Sequence, residues 1–300
     1  MVENPDYGQP GQPKCRLLGR GTGTLIGPRH VLTARHVVER DGNKPAPTRI
    51  VVSPGRNGSN TSHPQGSFVS TRWHRATPFR WEREKAIDGQ PHIVYDEYAL
   101  LVLDREVPAS LGWWGRDASR GALRRVDPAR LDGSPIAITG YPGDRVGDDA
   151  IKGSTEDKLG TIERRLAQWA AQESWASTAW SSHGTARASA DSTNMRHDVD
   201  TFKGQSGAPV CRADGSRLDI VGVHHYGLGD TNLAVRVTRR MLRELCAWIE
   251  ASGTPARIEN DTLVVEGTVP TREFEDDLET LASPDDEPMA EALLDADDAG

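Results

Sequence analysis

At 300 residues the chain is long enough to bury a sizeable core in one large domain, and hydrophobic residues form 36% of it. Its formal net charge of -8 comes from 44 acidic and 36 basic residues of interspersed sign, so no basic stripe invites nucleic acid, and no run is apolar enough to span a membrane. Three cysteines, Cys15, Cys211 and Cys246, stand apart without metal-ligand spacing. No metal and no cofactor is implied, and buried free thiols are expected in preference to a bridge from Cys15 to Cys211 or Cys246.

The opening stretch, Met1 to Gly8, lacks a charged start followed by an apolar run. No secretory signal is visible, and the chain is expected in the cytoplasm, or outside the cell if a leader has been removed. Short Val, Ile and Leu runs punctuated by Gly, Pro, Asp and Asn then predict many short strands, the pattern of a barrel or sandwich. The clearest are 24–26, 31–33, 49–52, 98–103, 136–139, 208–211 and 220–224. A polar region with turn residues at 54–66 lies between the early strands, and the stretch 156–180 carries helical spacing through Leu159, Ile162, Leu166 and Trp169. His183 and His197 read as lone polar-loop histidines.

From Thr238 a helix is predicted with Met241, Leu242, Leu245, Trp248 and Ile249 on one face, ending at Gly253. Beyond it, 262–265 has the pattern of a short strand, and 283–300 reads as acidic tail or linker. The expected organisation is one domain over 1–254 and an extension over 255–300 that could lead to further domains or a regulatory partner.

Chemistry concentrates in two segments. One is Lys203-Gly204-Gln205-Ser206-Gly207-Ala208-Pro209; the other is Thr33-Ala34-Arg35-His36 at the end of an apolar stretch. A serine hydroxyl becomes an effective nucleophile when a neighbouring base takes its proton, and imidazole suits that task. Small residues beside Ser206 let backbone amides, those of Gly204 and Ser206, turn toward a developing oxyanion.

The segment from Gly21 to Val38, with the serine segment, resembles the trypsin-like serine proteases, whose chain order is His, acid, Ser. Gly140-Tyr141-Pro142-Gly143-Asp144, the stretch from Asp198 to Val210, and the stretch from Ile220 to Gly227 narrow the likeness to the bacterial glutamyl endopeptidase branch. The resemblance implies two six-stranded antiparallel β-barrels of the chymotrypsin type with a C-terminal helix, and a serine endopeptidase acting on protein or peptide substrates. It places an acid before the strand beginning at Tyr98; Glu97 is in register where aspartate is usual, and Asp96 stands beside it.

Two substrate readings stay open. Asp200, six positions before Ser206, matches the floor of the trypsin pocket and argues for arginine or lysine. The glutamyl endopeptidase pattern instead implies that Thr201 and His224 receive a glutamate (or aspartate) side chain, with Lys203 adding positive charge. His225, Tyr226 and Gly227 would form the edge that pairs with extended substrate backbone. A third reading, a protease-like module that binds peptides without cutting them, is motivated by the unusual acid. Gln205 replaces the aspartate that in trypsin-like zymogens receives the freed N-terminal amine, so that activation route is not expected.

Overall fold

The computed structural model describes residues 2–6, 16–39, 47–56, 64–76, 83–87, 90–93, 96–142, 179–190, 192–227 and 231–267. The expected helix over 156–180 lies almost wholly outside the described residues, as do Cys15 and the acidic tail. One compact unit runs from Met1 to Gly267.

Its first part contributes β1 (Val2–Asp6), β2 (Arg16–Gly21), β3 (Gly23–Gly27), β4 (His30–Thr33), the single-turn helix α1 (Arg35–Val38), β5 (Ile50–Val52), β6 (Phe68–Arg75), β7 (Arg83–Ile87), β8 (Gln90–Ile93) and β9 (Ala99–Leu103). Among the described residues seven of these strands form a sheet in the order β2-β1-β5-β6-β9-β4-β3, while β7 and β8 pair only with each other. The two ends of that order, β2 and β3, are separated in sequence by Thr22 alone, so the sheet curls until its edges meet at one residue. In place of a closed six-stranded barrel the result is a half-barrel. The Thr22 amide donates across the seam to the Ser206 carbonyl, at 2.8 Å, rather than into a β2–β3 ladder.

The second part contains β10 (Leu123–Arg124), the short helix α2 (Pro128–Leu131), β11 (Pro135–Gly140), β12 (Trp180–Ala188), β13 (Asn194–His197), β14 (Pro209–Asp214), β15 (Arg217–Gly227), β16 (Asn232–Arg236), helix α3 (Arg239–Ala251), β17 (Ala256–Glu259) and β18 (Thr262–Val265). Its order is β14-β11-β12-β13-β16-β15-β10-β18-β17, and an additional β14–β15 pairing closes the first six strands into the expected antiparallel barrel. The β17–β18 hairpin joins through β10, where Leu123 faces Leu263, and so belongs to the compact unit although it follows residue 254.

β9 explains how the two parts adhere. It lies between β6 and β4 and all five of its residues are buried, which is why it reads as a continuous aliphatic run rather than an alternation. Leu101 and Leu103 fill the half-barrel with Val31, Ile50, Val52 and Phe68. Leu100 and the preceding Tyr98 join a second cluster with Leu242 and Leu245 of α3 and with Ile220 and Val223 of the closed barrel. Each such side chain contributes about 1.5–3 kcal/mol of transfer free energy. Thr238 caps α3 by accepting from the Met241 amide at 3.1 Å, and Met241, Leu242, Leu245 and Ile249 form its buried face. Cys211 and Cys246 are free thiols; burial, helped by Asp219, pushes the Cys211 thiol up to about 12 and makes it inert.

Candidate active site

The two segments singled out in the sequence meet at the seam between the sheets. β4 ends at Thr33, whose hydroxyl donates to the Thr22 carbonyl at 2.7 Å. The chain then makes the single turn α1, too short to persist alone. Arg35 braces it, donating to Glu39 at 2.7 Å and to the Ala76 carbonyl at 3.0 Å. His36 is thereby presented at the surface of the half-barrel, its side chain 39% exposed.

β4 and β9 are antiparallel with Thr33 opposite Ala99. Continued past the strand ends, that register sets Glu97 across from Arg35, one residue from His36. Glu97 Oε2 accepts from His36 Nδ1 at 3.1 Å and from the His36 backbone amide at 3.2 Å. Burial alone would raise the Glu97 carboxyl; the bonds from His36 and the charges of His36 and His225 outweigh it and hold the group below its ordinary value. Of the two adjacent acids, Glu97 reaches the imidazole and Asp96 does not. The Asp96 carboxylate instead takes Arg240 Nη1 of α3 at 2.7 Å, while Arg240 Nε binds Glu244 at 2.8 Å and Tyr98 donates to Glu244 at 2.5 Å.

Ser206 lies in a tight loop before β14. Gly204 at φ 99° and Gly207 at φ 89° take backbone conformations that disfavour other residues. A Cβ on Gly207 would collide with the Thr22 carbonyl and the Thr33 hydroxyl and come within 2.9 Å of the Ala34 amide. That closeness sets Ser206 beside the residues leading into His36. The amides of Gln205, Gly207 and Ala208 donate to Phe202, His224 and Gln205 carbonyls at 3.1, 2.8 and 2.8 Å. Those of Gly204 and Ser206 donate to no acceptor among the described residues. Gln205 is 3% exposed, and its Oε1 accepts from the Phe202 amide at 2.6 Å.

The residues expected to line a side-chain pocket separate into two groups. Thr201 is half-buried, whereas Asp200 and Lys203 are exposed, so Asp200 is not a buried floor among the described residues. His224 is 4% exposed and its Nδ1 lies 3.2 Å from Nε2 of His197. Burial, reinforced by His197, His225 and His36, lowers His224 to about 3, and burial lowers His197 to about 4. Both rings are neutral at pH 7. His197, expected in a polar loop, sits on β13 with its side chain inward.

His225 also departs from expectation. A register shift in β15 between His224 and Tyr226 turns consecutive histidines inward. The His225 side chain is therefore not at the cleft edge; its Nε2 meets Asn194 Oδ1 at 2.9 Å, and burial lowers it to about 4. Tyr226 and Gly227 remain exposed at the strand end. His197 and Thr22 carried no local signal of their positions, apart from the alternation of buried Met195 and His197 along β13.

A family model described as the trypsin-like peptidase domain matches residues 21–223. The chain belongs to that family. This trypsin-like peptidase chain is 28% identical over 239 residues to a glutamyl endopeptidase of Bacillus licheniformis, covering 77% of itself and 60% of that protein. It is 26% identical over 228 residues to an extracellular metalloprotease of Bacillus subtilis, covering 76% of itself and 57% of the relative. It thus spans about three fifths of the length of these curated relatives. A solved structure of Glu endopeptidase in complex with MPD superposes with a TM-score of 0.51 at 21% identity, covering 83% of this chain and 89% of that one, and bears out the fold. Among the described residues no cluster of three or more metal-binding side chains occurs, and no helix is long and apolar enough to cross a membrane.

Proposed function

We propose that the chain is a serine endopeptidase that hydrolyses peptide bonds on the carboxyl side of glutamate through an acyl-enzyme on Ser206. The observation that carries the reading is the convergence of three parts at one seam. Glu97 grips His36 by Nδ1 and by the backbone amide, Ser206 stands on the adjoining loop, and the amides of Gly204 and Ser206 have no acceptor among the described residues.

In that arrangement Glu97 fixes the imidazole so that Nε2 addresses the serine. His36 takes the Ser206 proton as Oγ attacks the scissile carbonyl carbon, and the oxygen that becomes negative is held by the Gly204 and Ser206 amides. Collapse breaks the C–N bond, the leaving amine takes the proton from His36, and the acyl group remains as an ester on Ser206. Water attacks that ester with His36 again as base, and the proton returns to Oγ as the acid product departs. Glu97, held below its ordinary value, stays a carboxylate at neutral pH and stabilises the imidazolium formed in each half-reaction.

Glutamate preference is supported by the match of Thr201 and the buried His224 to the glutamyl endopeptidase pattern, and by the exposure of Asp200, which removes that residue as a desolvated partner for arginine or lysine. The test is digestion of a peptide library by the protein beside Ser206→Ala, with cut sites mapped by mass spectrometry. Cuts after glutamate that vanish in Ser206→Ala, with kcat down about a millionfold, are expected. Cuts after arginine or lysine would overturn the specificity, and cuts that survive Ser206→Ala would overturn the mechanism.

A further inference from the structure

We infer that Thr22 is the positioning residue that holds the oxyanion-binding loop in its working shape, an inference resting on the serine endopeptidase reading of the site. Every polar group of this side chain and its backbone is engaged. The amide donates to the Ser206 carbonyl at 2.8 Å, and the carbonyl accepts from the Thr33 hydroxyl at 2.7 Å. Oγ1 donates to the Gly204 carbonyl at 3.0 Å and accepts from the Tyr141 amide at 2.9 Å. Thr22 is 2% exposed, so these bonds do not compete with water.

Their arrangement bears on the two amides that would hold an oxyanion. The peptide from Gly204 to Gln205 is fixed at both ends, its oxygen by Thr22 Oγ1 and its N–H by the Phe202 carbonyl. The peptide from Ser206 to Gly207 is fixed likewise, by the Thr22 amide and the His224 carbonyl. Between them lies the peptide whose N–H belongs to Ser206, and just before them the one whose N–H belongs to Gly204. Glycines at φ 99° and 89° would otherwise let these peptide planes rotate at little cost. Thr22 removes that freedom from the far side of the seam, because it is the one residue between β2 and β3.

A loop that rotates out of shape loses stabilisation of the tetrahedral intermediate while substrate side-chain contacts persist, so kcat falls and KM holds. Thr22→Val keeps the β-branched shape and the backbone bonds but removes Oγ1; Thr22→Ser restores it. With the full chain and a peptide that the wild type cleaves, Thr22→Val should lower kcat about 10- to 100-fold with KM within about twofold, and Thr22→Ser should stay within about threefold of wild type. In the resting protein the Gly204 and Ser206 amide resonances should shift and broaden in Thr22→Val and stay in place in Thr22→Ser. Wild-type kcat in Thr22→Val, unmoved amide resonances, or a Thr22→Ser as impaired as Thr22→Val would each overturn the inference. Should Thr22→Val fail to fold, Thr22→Ala adds no bulk beside Tyr141 and carries the same expectations. A wild type that cleaves nothing defeats the endopeptidase reading, and the amide resonances still decide whether Thr22 holds the loop.

Discussion

The two sheets bring their edges together by different means. The second becomes a barrel through a ladder, β14 returning to β15, and its strands could in principle hold that shape by backbone pairing alone. The half-barrel has no such ladder between β2 and β3; its edges meet at Thr22, which spends its bonds on Thr33, Tyr141 and the Ser206 loop. The meeting of one sheet's edges and the placement of the other's chemistry are therefore one event. The half-barrel supplies His36 and Glu97, the closed barrel supplies Ser206 and the buried histidines, and the seam sets their relation.

The most damaging way to break that relation is Gly207→Ala. The new methyl would meet Thr22, Thr33 and Ala34, all backbone or short buried groups that cannot swing aside, at a φ that alanine disfavours. Strain and overpacking together should cost about 3–5 kcal/mol, read from the denaturant midpoint. A loss below about 1 kcal/mol would mean that the seam yields and that the sheets are positioned by the aliphatic cluster around Leu100 and α3 instead.

A finer break falls on the half-barrel side. Glu97→Asp keeps the charge and shortens the reach by one methylene, while α3 holds Asp96 and Tyr98 on either side in place through Arg240 and Glu244. The shorter carboxylate cannot follow His36 without moving a backbone anchored at both neighbours. A fall in kcat/KM of about a hundredfold is expected, with stability altered by less than about 1 kcal/mol. Unchanged kcat/KM would show that the half-barrel adjusts to its acid rather than presenting it.

How much of this was legible in the sequence follows the same division. The positions of β3, β4, β5, β9, β11, β14 and β15, the capped helix at Thr238, and the pairing of a serine segment with a histidine segment are written locally, in alternation, turn residues and glycine placement; β12 and β13, whose histidines His183 and His197 read as loop residues, are not. The choice between Glu97 and Asp96 is not, since it depends on which carboxylate Arg240 claims from a helix far along the chain. The inward turn of the His225 side chain is not written locally either, because a bulge reverses the strand's period of two at one residue and nothing in the segment marks it. His197 and Thr22 gain their roles from long-range pairing alone, so a polar residue in a short segment gave no warning of burial. The curled seam was likewise invisible, being a property of which strands end the sheet.

Both sheets bury imidazoles that titrate in the unfolded chain. The half-barrel buries His30, whose Nε2 meets Ser252 Oγ at 2.6 Å, and burial with Arg29 and His74 lowers it to about 4. The closed barrel buries His197, His224 and His225, lowered to about 4, 3 and 4. Each is neutral in the folded protein between its lowered value and the ordinary 6.5, while the unfolded chain binds a proton there. Stability must then rise with pH through that window and be lost as pH falls, by up to about 1.4 kcal/mol per pH unit for one histidine. Denaturant titrations between pH 4.5 and 7 should show this slope, and His30→Asn or His197→Asn should each shallow it by the share of one proton. If only His30→Asn does so, the histidines of the closed barrel already exchange protons in the folded state, as water reaching them through the cleft would allow; equal effects would mean that the cleft is as dry behind His224 as the core is around His30.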